Sequence, residues 1–188
     1  MKTSPMITVA AMTANPAGAA AIANVAQTPV PFATVPELFE SITTALVTAA
    51  SYPQVLELTH GQPYFDNSAT QYTGALPPPT LAFINATVQR FSGSPAGQNL
   101  LAHDYTPTGD LRMPALTLST FRDPVVPGFH RTIYGQQVAA QGNADLLVQR
   151  SVTGTAGGYG HCTFTPLELT QAFLDLVLWG ELGIKPAQ

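Results

Sequence analysis

Apolar residues in the first 76 positions recur every three or four residues, which is the spacing of amphipathic helices. One helix is predicted over Pro36 to Ala50, and its apolar face would be formed by Phe39, Ile42, Leu46 and Ala49. An earlier helix is predicted to begin at Pro16, with Asn15 as its N-cap. Only Gln54 to Thr59 has the pattern of a strand. The pattern therefore predicts a small helical segment over residues 1–76.

The proline-rich stretch Leu76 to Thr80 interrupts this pattern, and two short helices are predicted after it. The first would pack through Leu81, Ile84 and Val88, and the second would begin at Ser94-Pro95. We expect residues 77–110 to connect the helical segment to a third part, residues 111–188.

In the third part, short apolar runs alternate with helical patterns. Ala115 to Ser119 predicts a strand buried on both faces. A helix over Pro127 to Gly142, a strand over Leu146 to Val152 and a helix over Thr165 to Trp179 are predicted to follow. The last helix begins with a capping-box sequence, and its predicted inner stripe is Leu169, Phe173, Leu176 and Val177.

This order of elements predicts an α/β fold with parallel strands and flanking helices. Two strands do not make a stable parallel sheet on their own. We therefore expect the sheet to be completed by further strands in the first half or by another polypeptide.

Composition narrows the classes of function. The chain is 45% hydrophobic and only 10% charged, with a net charge of −4 and no basic stripe, so we do not expect nucleic acid as a ligand. No apolar run reaches the roughly 18 residues of a membrane span. Proline, asparagine and glycine interrupt the alanine-rich start of the sequence, so a signal peptide is not predicted. The sequence does not identify the cellular compartment, and the cytoplasm is the default expectation. A single cysteine excludes an internal disulfide.

Candidate chemistry lies at the ends of the two predicted strands. Asp123 follows the first strand, and His161 follows the second, 38 residues later. The carboxyl ends of parallel strands meet at one edge of a sheet, so these side chains are expected to touch. A carboxylate can then orient the imidazole, which becomes available as a general base.

Three further residues are candidates for lining a pocket: His130, Tyr159 and Cys162. His130 is expected in the first turn of the helix after Asp123, where an exposed position is equally consistent with the pattern. Cys162 is expected to point away from His161, if the backbone is extended, as a small buried hydrophobe. His60-Gly61 after a predicted strand is the one hint of an oxyanion loop. No pair of histidines has metal-ligand spacing, and we expect neither a metal ion nor a cofactor.

Two stretches of the sequence resemble the C-terminal part of bacterial serine hydrolases of the α/β-hydrolase superfamily. The stretches read YTPTGDLRMPALTLSTFRDPVVPGFH and LLVQRSVTGTAGGYGHCTFTPLELTQAFLDLVLWGELGIKP. A third stretch, Tyr64 to Gly74, resembles the end of the helical lid of such enzymes. The resemblance implies a partial α/β-hydrolase fold, with Asp123 as the acid and His161 as the base of a catalytic triad.

The nucleophile of that triad has no counterpart in the sequence. It would lie in a Gly-x-Ser-x-Gly turn, but the two glycine pairs with this spacing have Pro95 and Ala156 at their centres. The first hypothesis is therefore an esterase- or peptidase-like hydrolase half, inactive alone, that acts on a small ester or peptide when a complementary N-terminal half is present. The alternative is a non-catalytic remnant of the fold that binds a partner or forms a homo-oligomer. A third reading assigns the nucleophile to Ser119, which would lack both the turn and oxyanion donors.

Overall fold

The computed structural model describes residues 13–27 and 34–187. The chain divides into two compact units, one up to Thr106 and one from Pro107. The stretch before residue 13, on which much of the signal-peptide prediction depends, lies outside the described residues. Among the helices that are described, none combines the length and the apolar character that crossing a membrane requires.

The first unit is helical. Its helices are α1 (Pro16–Val25), α2 (Val35–Ala49), α3 (Tyr52–Leu58), α4 (Pro78–Thr87) and α5 (Pro95–Asp104). The predicted caps are confirmed: Asn15 accepts the backbone N–H of Gly18 at 2.9 Å, and Ser94 accepts that of Gly97 at 3.0 Å. The two helices predicted after the proline-rich stretch are confirmed as α4 and α5.

The strand predicted over Gln54 to Thr59 is wrong, because these residues lie in α3 and its C-terminal end. A short apolar run fits a strand or a helix equally well, and Pro53 in the first turn favours the helix. The histidine and glycine that follow, His60 and Gly61, therefore end a helix rather than a strand.

The apolar face predicted for α2 is only partly correct. Ile42 is buried and Phe39 packs against the same cluster, but Leu46 is 47% exposed and Ala49 is exposed. The buried cluster joins α2 to α1 through Leu38, Ile42, Ala19 and Ala23. Because α1 has only ten residues, it covers the N-terminal half of α2 and leaves the other half open.

A polar network organises the segment between α3 and α4. The amide nitrogen of buried Asn67 donates to the Tyr72 hydroxyl at 2.9 Å and to the carbonyl of Gln89 at 3.0 Å. The guanidinium of Arg90 donates to the carbonyls of Asn67, Thr70 and Asn85. These bonds satisfy backbone groups that no helix or sheet pairs. The likeness of this segment to a hydrolase lid stays a prediction.

The second unit has an α/β arrangement. Its elements are β1 (Ala115–Thr120), α6 (Phe129–Ala140), a 3₁₀ turn (Ala144–Leu146), β2 (Leu147–Val152) and α7 (Pro166–Leu182). The strands pair in parallel, with Ala115 opposite Leu147 and Thr120 opposite Val152. The predicted strand–helix–strand–helix order and the parallel sheet are therefore confirmed, with no boundary shifted by more than three residues.

The two helices of this unit cover opposite faces of the sheet. On one face, Gln149 donates to the carbonyl of Arg131 in α6 at 3.0 Å. On the other, Arg150 pairs with Asp175 in α7 at 2.5 Å. Neighbouring strand residues point to opposite faces, so Gln149 and Arg150 place one helix on each side. The prediction that β1 is buried on both faces is wrong. Ala115 to Ser119 are half-buried, and within the strand only Thr120 is buried.

The inner stripe predicted for α7 is correct only at Leu176. Leu169, Phe173 and Val177 are 50%, 66% and 40% exposed, and Leu176 alone is half-buried. The more buried face combines Leu176 with Asp175, which pairs with Arg150, and with buried Trp179. A two-stranded sheet is too narrow to cover the remaining apolar side chains. Part of the helix surface is consequently apolar and uncovered.

Candidate functional site

The loops after β1 and β2 are joined directly beyond the ends of the strands. Arg122 and Tyr159 form an isolated parallel bridge, in which Arg122 donates to the carbonyl of Gly158 at 2.5 Å and accepts from Gly160 at 3.3 Å. The Arg122 guanidinium lies 5.5 Å from the centre of the Tyr159 ring, which is buried. This bridge pairs the two loops in parallel again beyond the sheet, after a longer loop on the side of β2, so the next residues of both loops come together.

Asp123 and His161 are in contact at this edge of the sheet. The Nδ1 atom of His161 lies 2.8 Å from Oδ2 of Asp123. Oδ1 of Asp123 accepts the backbone N–H groups of Val125 and Val126 at 2.8 and 2.9 Å. The aspartate side chain is 6% exposed and the histidine side chain is 45% exposed. The contact expected from the sequence is therefore present, while the catalytic role of the two residues stays a prediction.

The hydrogen bonds of this pair determine which ring nitrogen is free. A carboxylate only accepts hydrogen bonds, so the bond to Asp123 requires the proton on Nδ1. In the neutral ring, Nε2 then carries the lone pair, on the exposed side of the ring. A buried carboxylate behind a half-exposed imidazole is the arrangement of a general base and the group that orients it.

The loop that carries His161 is fixed at both ends. Thr163 donates its backbone N–H to the hydroxyl of Thr120 at 3.3 Å. Glu168 completes the capping box of α7 and also accepts the backbone N–H of Gly154 at 3.2 Å. The bonds from Thr165 and Gly154 hold the pKa of Glu168 below its ordinary value, the backbone bond from Thr165 contributing most. The predicted capping box thus also positions the loop.

Cys162 does not lie where the sequence predicted it. The residue is exposed rather than buried, and its backbone has a φ of +54°. Its Sγ atom lies 3.4 Å from Nε2 of His161. The prediction that the two side chains diverge assumed an extended backbone, and the left-handed conformation turns the thiol back to the ring. The glycine-rich sequence of the loop was the signal that its backbone is not extended. Positive φ values occur at Gly154, Gly157, Gly158 and Gly160.

The other candidate residues make contacts of their own. Tyr159 is buried under Arg122, one step before Gly160. His130 is exposed in the first turn of α6, and its ring centre lies 4.1 Å from that of Phe129. The hydroxyl of Ser119 accepts from Arg131 at 2.6 Å and donates to the carbonyl of Arg150 at 3.2 Å. These bonds engage Ser119 as a structural hydroxyl.

Two open grooves lie along α7, away from the histidine and the aspartate. The first, of about 190 Å³, is lined by Leu118, Arg150, Val152, Leu167, Glu168 and Gln171. The second, of about 310 Å³, continues along the exposed side of the helix past Leu174 and Leu178. Neither contains the Asp123–His161 pair.

No family model, curated protein or solved structure matches this chain. The geometry of the site and the sequence resemblance are therefore the grounds on which its function is argued.

Proposed function

We propose that this chain is the acid–base half of a serine hydrolase of the α/β-hydrolase type. The observation that carries the proposal is the 2.8 Å bond from His161 to buried Asp123 at the carboxyl edge of a parallel sheet. The parallel pairing, the helix on each face and the order Asp then His all agree with the last part of such a fold.

In this proposal a serine outside the present sequence attacks the carbonyl carbon of an ester or peptide. Nε2 of His161 takes the proton from the serine hydroxyl and then gives it to the leaving group. Asp123 keeps the ring in the Nδ1–H form and stabilises the imidazolium as it develops. The present sequence has no serine in a Gly-x-Ser-x-Gly turn, and a hydrolase with one triad member removed keeps only a small part of its rate.

The uncovered apolar surface of α7 supports the proposal that a complementary chain segment packs on this unit. Leu167, Phe173 and Leu174 of α7 are between 52% and 74% exposed. The strands of the described sheet pair only with each other, which leaves an outer edge on each strand for further strands. A hydrolase half with additional parallel strands would cover both features.

The test uses a fluorophosphonate probe, which labels activated serines. The chain is incubated with the probe alone and after co-expression with the polypeptide encoded directly upstream of it. We expect a labelled serine only in the co-expressed sample, and we expect His161→Gln or Asp123→Asn to slow labelling by roughly a thousandfold.

A matched control is available in the first unit. His103 and Asp104 also form a His–Asp contact, 2.5 Å long, at the exposed end of α5. His103→Gln and Asp104→Asn should leave the labelling rate unchanged. A labelled serine in the isolated chain would contradict the proposal. Absence of labelling in the combined sample, with the pure chain a folded dimer, would instead support the binding or dimerising alternative.

A further inference from the structure

The exposed edge of the Asp123–His161 pair already faces a nucleophilic atom of this chain. The Sγ atom of Cys162 lies 3.4 Å from Nε2, on the side of the ring opposite to Asp123. Carboxylate, imidazole and thiol therefore follow one another in hydrogen-bond reach. A nucleophile beside a base that a third group orients is the arrangement from which covalent catalysis proceeds.

The direction of the hydrogen bonds gives the thiol a route for its proton. In the neutral ring with its proton on Nδ1, directed at Asp123, Nε2 is an acceptor, and the S–H group is the donor that faces it. The positive φ of Cys162 produces this contact, since an extended backbone would separate neighbouring side chains. The thiol is also exposed, so an electrophile can reach it from solvent.

We propose that Cys162 is a second nucleophile served by His161, and that it takes an acyl group from an activated ester. In this step Nε2 removes the thiol proton and sulfur forms a bond to the carbonyl carbon. The bond from that carbon to the ester oxygen breaks, and the leaving alcohol receives the proton from Nε2. The products are a thioester on Cys162 and a free alcohol, with no oxidation or reduction.

This inference uses the same Asp123–His161 pair as the proposed function but needs no complementary chain. Each of the two proposals can therefore be contradicted without contradicting the other. Thioester formation in the isolated chain does not depend on an external serine, and serine labelling in the combined sample does not depend on Cys162. Cys162→Ala is expected to abolish the first reaction in either sample.

The experiment uses p-nitrophenyl acetate and the isolated full-length chain, whose single cysteine makes the assignment unambiguous. Acetylation of sulfur is followed by intact mass, and neutral hydroxylamine distinguishes a thioester from an amide on lysine. The control is Ser92→Cys in the Cys162→Ala background. Ser92 is exposed in a loop of the first unit, so this variant presents one exposed thiol in a different setting.

We expect Cys162 to be acetylated at least about tenfold faster than the Ser92→Cys thiol. His161→Gln should bring the rate at Cys162 down to that of the control. Equal acetylation rates for Cys162 in the natural chain and for the Ser92→Cys thiol in the control would overturn the proposal. This comparison needs no variant at His161. A fast rate at Cys162 that persists in a folded His161→Gln variant would also overturn it.

Discussion

Arg122 and Tyr159 form a parallel backbone bridge beyond the last paired residues of β1 and β2. The strands pair to Thr120 and Val152, so one residue lies between β1 and the bridge and six lie between β2 and the bridge. The longer loop after β2 leaves the sheet and returns at Tyr159. This return of the loop places His161 beside Asp123.

The first prediction concerns the tight start of the returning loop. A Cβ atom at Gly154, where φ is +58°, would clash with the backbone carbonyl oxygen of Thr163. Gly157 has a similar φ of +60° but nothing within 4 Å of the same position. We expect Gly157→Ala to cost about 1 kcal/mol of unfolding free energy, from the backbone conformation alone. Gly154→Ala should cost roughly 3 kcal/mol, because the backbone must also move.

Urea denaturation of the two variants measures this difference. Equal losses of stability would show that the loop does not pass as close to Thr163 as the structure places it.

The second prediction concerns pH and Glu168. Its pKa is lowered by the bonds from Thr165 and Gly154, so it stabilises the folded state when it is ionised. This contribution is complete above the ordinary pKa of a glutamate and is lost as the pH falls through the lowered value. The difference in unfolding free energy between the natural chain and Glu168→Gln should be largest near neutral pH and should shrink in acid.

Denaturant titrations of both chains between about pH 7 and about pH 3 give this difference at each pH. A difference that grows on acidification would reverse the expected sign and rule out this role for the carboxylate.

The third prediction compares two ion pairs of the second unit. Arg150 and Asp175 are 20% and 22% exposed, whereas the Lys185–Asp145 pair is 3.7 Å long and its aspartate is fully exposed. Asp175→Asn should cost about 2 kcal/mol, since it weakens a charged bond that fixes α7 on the sheet. Asp145→Asn should change stability by no more than about 0.5 kcal/mol. Thermal and urea unfolding of both variants measure the contrast, and similar costs would contradict it.

The meeting of Asp123 and His161 could be predicted because it depends on topology. Two parallel strands joined by a helix place their carboxyl ends at one edge, and the bridge between Arg122 and Tyr159 then brings the two loops together there. The orientation of Cys162 could not be predicted in this way, because it depends on one dihedral angle. Its value of +54° lies in a region that residues other than glycine seldom adopt.

The outer face of α7 and the helix α3 show what the spacing of apolar residues cannot predict. Spacing predicts that a helix has an apolar face, but the partner decides which residues are buried. In α7 the face that contacts the sheet carries Asp175, paired with Arg150, and buried Trp179, while Phe173 is left exposed. In α3 the apolar run was too short to distinguish a helix from a strand, and Pro53 was the local signal for a helix.

The central claim is that Asp123 holds His161 with its proton on Nδ1, which leaves Nε2 as the base. Long-range ¹H–¹⁵N correlation spectra of the imidazole rings, recorded where the rings are neutral, report the tautomer of each histidine directly. We predict the Nδ1–H form for His161, and we predict that Asp123→Asn disturbs it while Asp104→Asn has no effect. An Nε2–H tautomer for His161 in the natural chain would contradict the account.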